Sequence, residues 1–517
     1  MAGRLARLAL PGAAWAVAAA LVLRLAAVAA IEVRLEGEER DQVVAGDAGG
    51  YLDLAGDIAS GRDYAVDSGV HPRRAMRVPL FPLLLAGPVW LGQNVDWISE
   101  RSLSALCRCV VALCGTLAVW ATGRLGRAIG GPRVGAAAAW LAALNPLAIA
   151  FSTMLLSESL FAALLTLSLA GVAECVRRPV GDAPLPTRCG PAIWAGLATA
   201  GACLTRPVWL PFLPCVVLLA VGLAWKAGDL KRAAWTGAFV AAFLVGFAPW
   251  PLRNQRVLGA PVMTTTWGGP TLYDSLGPQA TGASDMRFRD PPRRVPGWDV
   301  LYGEDIGDDR GAIPPELRPA YRVEFNDLHS GDWPGDGPTV QQITALQDWP
   351  WVDWRTDDPE VRKAVFGDEL ASNRLYGRAA WQTAGEDPLR VARLAVVKQG
   401  RFWRPWPVGG LPGGAVGVAL KIGFAAFFLP LIGLALWGGV RQWRDGGEQG
   451  AWEVNRLWAL ALTWGPVLGL AAVCLVFVGS VRYRLPGEFP LCVAAAVGGL
   501  DLWRRRRPGE RTARTGG

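Results

Sequence analysis

The sequence predicts an all-α membrane protein: a bundle of about ten or more spans, with a large, mostly helical extracytoplasmic loop. Three observations predict it. Hydrophobic residues make up 52% of the 517, too many for an ordinary soluble enzyme. Several apolar stretches reach about 17 to 25 residues, the length that crosses a bilayer core. Positive charge recurs in every second connection between those stretches, the signature of cytoplasmic loops.

Taken in order, spans are expected near 12–31, 103–123, 134–151, 155–175, 190–206, 208–225, 233–252, 414–438, 456–478 and 486–503. Segment 79–92 (PLFPLLLAGPVWLG) is apolar but short, so it reads as re-entrant or interfacial. The N-terminus, with Arg4 and Arg7, is expected inside. The cytoplasmic turns are then RLGRAIGGPR (124–133), the turn of Arg177, Arg178 and Arg188, that of Lys226, Lys231 and Arg232, that of Arg441, Arg444 and Arg456, and the tail RRRR at 504–507. All five are basic, which places both chain ends in the cytoplasm. The net charge of +8 is largely these anchors, so it implies contact with membrane lipids and no nucleic-acid partner.

Arg24 interrupts the first apolar stretch, whose core is long, so an uncleaved span is expected rather than a signal peptide. The nine cysteines lie in or beside spans or in cytoplasmic turns, and no disulfide framework is expected outside. His71 and His329 are the only histidines and stand far apart, which speaks against a zinc site. No metal ligands are assigned, although a divalent cation remains compatible with the sequence.

These spans divide the chain into an N-terminal transmembrane bundle (1–252) with an outer loop at 32–102, an extracytoplasmic loop domain (253–413), C-terminal spans (414–503) and a basic tail (504–517). The first half of 253–413 is rich in Gly, Pro and Asp and reads as irregular. Its second half reads as helices. Asp358 can cap one that has Pro359 at its first position, and Asp387–Pro388 can do the same for LRVARLAVVKQGRFW. That segment is apolar on one face and basic on the other and runs into WRPWP, as an interfacial helix would. Trp403 and Trp406 read as interface anchors rather than sugar platforms.

Asp47, in GDAGGYLDLAGDIASG, leads the candidate site residues. It can cap a short amphipathic helix, or it can act as a general base drawing a proton from a hydroxyl or amine. Tyr51 follows one turn later. Arg77 precedes PLFPLLLAG, where it either anchors in head groups or grips a phosphate with its fork of donors. Glu158, in FSTMLLSESLF, is a carboxylate at the edge of hydrocarbon and needs a polar cavity or a partner; Arg24 is one candidate. Arg206, in LTRPVWLPFLP, raises the same question. Arg253 in PWPLRNQRVLG, Lys398 with Arg401, and Arg482 beside Tyr483 in VRYRLP put cations where outer loops meet spans. Several cations on one face make a cradle for a phosphate or diphosphate.

GDAGGYLDLA, RVPLFPLLLAG, LLSESLF, LTRPVWLPFLP, PWPLRNQRVLGAPV, DPLRVARLAVVKQGRFW and VRYRLPGEFP occur in this order from residue 46 to about 490. So arranged, they resemble the multi-spanning glycosyltransferases that use polyprenyl-phosphate sugars. That group, of GT-C fold and family 39 type, includes the protein O-mannosyltransferases and the bacterial aminoarabinose transferases of lipid A. The resemblance implies a catalytic acid in the first outer loop, which falls on Asp47. It implies a lipid-linked donor, inverting transfer, and basic residues at loop–span junctions that hold the phosphate: Arg77, Arg253, Lys398 and Arg482. The protein-mannosylating branch carries two adjacent acids in this loop, whereas here Asp47 is followed by Ala48.

The function expected is therefore that of an inverting hexosyl- or pentosyltransferase of the cytoplasmic (inner) membrane, acting on its outer face. Asp47 would activate a lipid, glycan or protein acceptor, and Glu158 would help position it. Tyr51, Arg206 and Tyr483 are further candidate substrate contacts. A transporter or flippase of lipid-linked sugars is the alternative, but no inverted repeat is visible.

Overall fold

A segment in lipid has to satisfy every backbone N–H and C=O internally, so long apolar runs become helices. The computed structural model describes residues 2–34, 47–66, 73–95, 97–177, 185–226, 230–278, 280–284, 369–407, 414–445 and 456–506. Among these residues there is no strand, only an isolated antiparallel bridge between Val66 and Arg73. His71, His329, the Asp358–Pro359 helix start, most of the Gly/Pro/Asp-rich stretch and the tail beyond 506 lie outside the described residues.

The first span is α1 (Ala2–Arg34); α2 (Asp47–Ala59) and α3 (Leu80–Asn94) then fill the first loop. At 15 residues α3 is too short to cross a bilayer. α4 (Glu100–Ala143) is a hairpin of two arms rather than one rod. Gly131 takes φ 82° and Pro132 follows, so the helix turns back there. The arms touch backbone to backbone: a Cβ on Gly126 would overlap the Cα of Gly135. α5 (Pro146–Phe151) prolongs the second arm, and Asn145 caps it by accepting from the Leu147 and Ala148 N–H groups.

α6 (Glu158–Arg177), α7 (Leu185–Thr205), a 3-10 turn (Pro207–Phe212), α8 (Leu213–Lys226), α9 (Leu230–Phe247) and α10 (Pro249–Leu258) complete the first half. α11 (Gly268–Leu276), α12 (Glu369–Glu386) and α13 (Pro388–Trp403) belong to the second loop. Asp387 caps α13 as expected, accepting from the Arg390 N–H at 2.9 Å with Pro388 in the first turn. α14 (Gly414–Asp445), α15 (Arg456–Thr463), α16 (Gly465–Val476) and α17 (Val481–Arg505) follow.

Six of the described helices are long and apolar enough to cross a membrane, or seven if α15 and α16, bent by 51°, form one span. The ten expected stretches outnumber these for two reasons. The α4 hairpin counts once although it has two arms. The stretch 190–225 is split by Pro207 and Pro211 into shorter apolar helices, Cys189–Thr205 and Pro207–Leu218. Packing in the bundle relies on small residues that let backbones approach. A Cβ on Gly438 would overlap the Ala494 carbonyl oxygen, and one on Gly498 that of Leu434, so α14 and α17 lie in direct contact.

Two buried arginines show how the bundle treats charge. Arg24, in α1, does not pair with Glu158, contrary to expectation. Its Nε donates to Ser152 Oγ at 3.1 Å and its Nη1 to the Ala20 carbonyl at 3.2 Å. The reason is topological: α1 packs on α4 and α5, whereas Glu158 opens a helix that meets α17. Arg484, in α17, is fully buried and donates from Nε to Glu488 Oε1 at 2.6 Å and from Nη1 to the Phe402 and Arg404 carbonyls at 2.7 Å each. Asn145 Nδ2 donates to the other Glu488 oxygen at 2.6 Å, and the guanidinium lies 3.8 Å from the centre of the Phe428 ring. One satisfied network thus ties α17 to α5, α13 and α14. Removing one partner of such a pair costs roughly 3–5 kcal/mol, because the other charge stays buried and unpaired. Glu488→Ala should therefore lower the unfolding midpoint of the detergent-solubilised protein sharply. Glu488→Gln, which can still accept from Arg484, should lower it less, and equal midpoints for the wild type and the Ala variant would contradict this reading.

Candidate functional site

Helix ends at one end of the bundle deliver the charged side chains. Asp47 is the first residue of α2, where the helix dipole favours a carboxylate. Tyr51, one turn on, meets Phe81 edge to face at 4.9 Å and seats α2 on α3. Arg77 lies just before α3; its Nη2 donates to Asp47 Oδ1 at 2.6 Å, and its guanidinium stands 4.7 Å from the Tyr51 ring centre. Glu158 opens α6, and Arg206 follows α7 at the head of the 3-10 turn. Ser480 caps α17 by accepting from the Arg482 N–H, which puts Arg482 and Tyr483 in the first turn.

Arg482 joins the two carboxylates. Its Nη1 donates to Asp47 Oδ2 at 2.8 Å and its Nε to Glu158 Oε1. Arg206 Nη1 donates to the same Glu158 oxygen at 2.5 Å and to Ser157 Oγ at 3.2 Å, while its guanidinium lies 5.1 Å from the Tyr483 ring centre. The Tyr51 hydroxyl donates to Ser157 Oγ at 3.3 Å. Asp47, Tyr51, Arg77, Glu158, Arg206, Arg482 and Tyr483, distant in sequence, therefore form one cluster.

Arg253 and Lys398 stand apart from the carboxylates. Arg253 donates from Nη1 to the Arg74 carbonyl at 2.6 Å and from Nη2 to the Tyr64 carbonyl at 3.1 Å, so it braces the loop that carries Arg77. Lys398 is fully buried, and its Nζ donates to the Val476 carbonyl at 2.9 Å.

Glu369, at the start of α12, shares the bracing and went unnoticed in the sequence. It accepts from the Arg74 N–H at 2.8 Å, the Ala75 N–H at 3.2 Å and Thr266 Oγ1 at 2.6 Å. Tyr64 adds to it, its hydroxyl donating to the Arg77 and Val78 carbonyls at 3.2 Å each. Nothing in the pattern around Glu369 marks it, because its partners, two backbone N–H groups and a threonine hydroxyl, lie 103 to 295 positions away.

Glu158 is fully buried, whereas the Asp47 side chain is 36% exposed and so open to solvent. Burial works to raise the Asp47 pKa, but the guanidiniums of Arg77 and Arg482 outweigh it and hold the carboxyl well below the usual range. Burial draws the Lys398 ammonium down to about 8. Two buried polar atoms of the cluster, Glu158 Oε2 and Arg77 Nε, have no hydrogen-bond partner in the protein. Among the described residues no group of three His, Cys, Asp or Glu side chains could hold a metal ion. Both site carboxylates already face guanidiniums, so the donor set does not suit a divalent cation.

No family model matches the chain. A probable alpha-(1->6)-mannopyranosyltransferase of Mycolicibacterium smegmatis is 31% identical over 176 residues, covering 31% of this chain and 30% of that protein. Among solved structures, the oligosaccharyltransferase AglB of Archaeoglobus fulgidus, in complex with an inhibitory peptide and a dolichol-phosphate, aligns over 95% of this chain and 51% of its own. The identity is 15% and the TM-score 0.49. ArnT of Cupriavidus metallidurans, bound to undecaprenyl phosphate, aligns over 95% of this chain and 78% of its own, at 16% identity and TM-score 0.36. The chain thus matches about a third of the mycobacterial protein's length and half of the archaeal one's. The names of two of these proteins describe a mannopyranosyltransferase and an oligosaccharyltransferase, and the two solved structures hold a dolichol-phosphate and an undecaprenyl phosphate.

Proposed function

We propose that the protein is an inverting glycosyltransferase that moves a sugar from a polyprenyl-phosphate carrier to an acceptor at the extracytoplasmic face. The observation that carries the reading is the cluster in which Arg482 bridges Asp47 and Glu158, flanked by Arg77 and Arg206. Three guanidiniums against two carboxylates leave one positive charge, which suits the single negative charge of a phosphodiester. A guanidinium fork is the side chain best shaped for phosphate oxygens. The Arg77 and Arg482 side chains are partly exposed beside Asp47, so both stand where a phosphate could meet them. The basic turns of the sequence support the outer side, and the 176-residue similarity favours a mannosyl-type donor.

In this reading Asp47 takes a proton from the acceptor hydroxyl as its oxygen attacks the anomeric carbon from the face opposite the phosphate. The bond from that carbon to the phosphate oxygen breaks, and the electron pair stays on the lipid phosphate. Arg77 and Arg482 then stabilise the charge that develops there. Held beside Asp47 from the start, they need little rearrangement to meet that charge. Holding a membrane-bound donor and the acceptor at one boundary removes much of the entropic cost of their meeting.

Asp47→Asn keeps size and loses the base, so transfer by membranes supplied with radiolabelled polyprenyl-phosphate mannose should fall by about 10²-fold or more at unchanged expression. Full activity in this variant would move the base elsewhere. The depressed Asp47 pKa also fixes the expected pH profile. The free-enzyme carboxylate stays ionised well below the usual Asp value of about 3.9. The kcat/KM profile should accordingly show no acid limb from this residue between about pH 5 and 7. Such a limb, abolished in the Asn variant's residual activity, would contradict the pairing with Arg77 and Arg482.

A further inference from the structure

Arg482 owes its place to a turn of four residues, 477–480, between the end of α16 and the start of α17. Elements of the second loop grip that turn from several sides. Lys398 Nζ, from α13, donates to the Val476 carbonyl at 2.9 Å and reaches the Leu475 carbonyl at 3.4 Å. The last carbonyls of a helix carry its negative dipole end, where a cation is favoured. Ser275 Oγ, from α11, donates to the same Val476 carbonyl at 2.6 Å. The Gly479 N–H donates to the Gly282 carbonyl at 3.0 Å, and Ser480 Oγ accepts from the Arg482 N–H at 3.2 Å. A Cβ on Gly479 would overlap the Lys398 carbonyl oxygen, so α13 and the turn lie backbone to backbone.

We propose that Lys398 is a positioning residue: with Ser275 it clamps the end of α16, sets the 477–480 turn, and so aims Arg482 at Asp47 and Glu158. This departs from the direct phosphate contact that the sequence resemblance implies for Lys398. The side chain is fully buried, and its ammonium is committed to carbonyl oxygens of α16. Its charged and titratable neighbours are Arg390 on its own helix, Asp274 on α11 and Cys474 on α16. The clamp gives α11 and α13 a part in the site through Lys398 and Ser275, which act on the 477–480 turn.

The inference rests on the phosphate-binding reading of the cluster, and the experiment separates the two. Undecaprenyl phosphate is titrated onto the full-length protein in nanodiscs, for the wild type, Lys398→Met, Arg482→Gln and the double variant. Lys398→Met should weaken binding about tenfold, ~1.4 kcal/mol, and should add nothing in the Arg482→Gln background, because it acts through that side chain. Additive losses mean that Lys398 meets the phosphate itself and overturn the proposal, as does unchanged binding in Lys398→Met. Should the wild type fail to bind the lipid, the phosphate reading falls, and amide hydrogen exchange tests the clamp by itself. Exchange over 477–483 should then quicken in Lys398→Met and, less, in Ser275→Ala, with α4 unchanged, and equal rates in all three proteins overturn the proposal.

Discussion

The arrangement depends on one guanidinium. Arg482 faces a half-open carboxylate on one side and a fully buried one on the other. Without it Glu158 would lose one of its two cationic partners in a water-poor interior, where an unpaired charge is very costly. The same contact fastens the first loop, through Asp47, to α17. One interaction therefore serves the fold and the candidate chemistry together, and its substitution should be felt in both.

Around that bridge the structure divides its labour. Arg77, Arg206 and Arg482 face the carboxylates, whereas Arg253, Glu369 and Lys398 hold backbone segments that carry them. The second group is buried or braced against carbonyls and amides, which suits rigid support better than ligand exchange. A cluster held in this way is organised before substrate arrives, and electrostatic stabilisation of a leaving phosphate gains most from that. The support comes largely from the second loop, so that loop has a task even where it touches no substrate.

Legibility in the sequence was uneven for physical reasons. Helical spans could be read because lipid leaves few alternatives and because apolar length is a local property. The Asp387–Pro388 helix start could be read for the same reason: a cap is decided within three residues. The Arg24 pairing could not. An arginine and a glutamate at the edges of hydrocarbon each need a partner, but only packing says which, and Arg24 found Ser152 while Glu158 found Arg206 and Arg482. Lys398 and Arg253 sit at loop–span junctions like the cluster arginines, so sequence position alone cannot tell a ligand-facing cation from a bracing one.

A helical membrane bundle was legible in the residues alone, as were some helix starts, those at Asp47 and Asp387 among them. Those are matters of local hydrophobicity, capping and charge. That the starts of α2, α6 and α17 converge, and that one arginine serves both acids, is visible only once the helices are packed. Contacts across more than 300 residues are set by how helices pack, and helix packing is a property of the whole bundle.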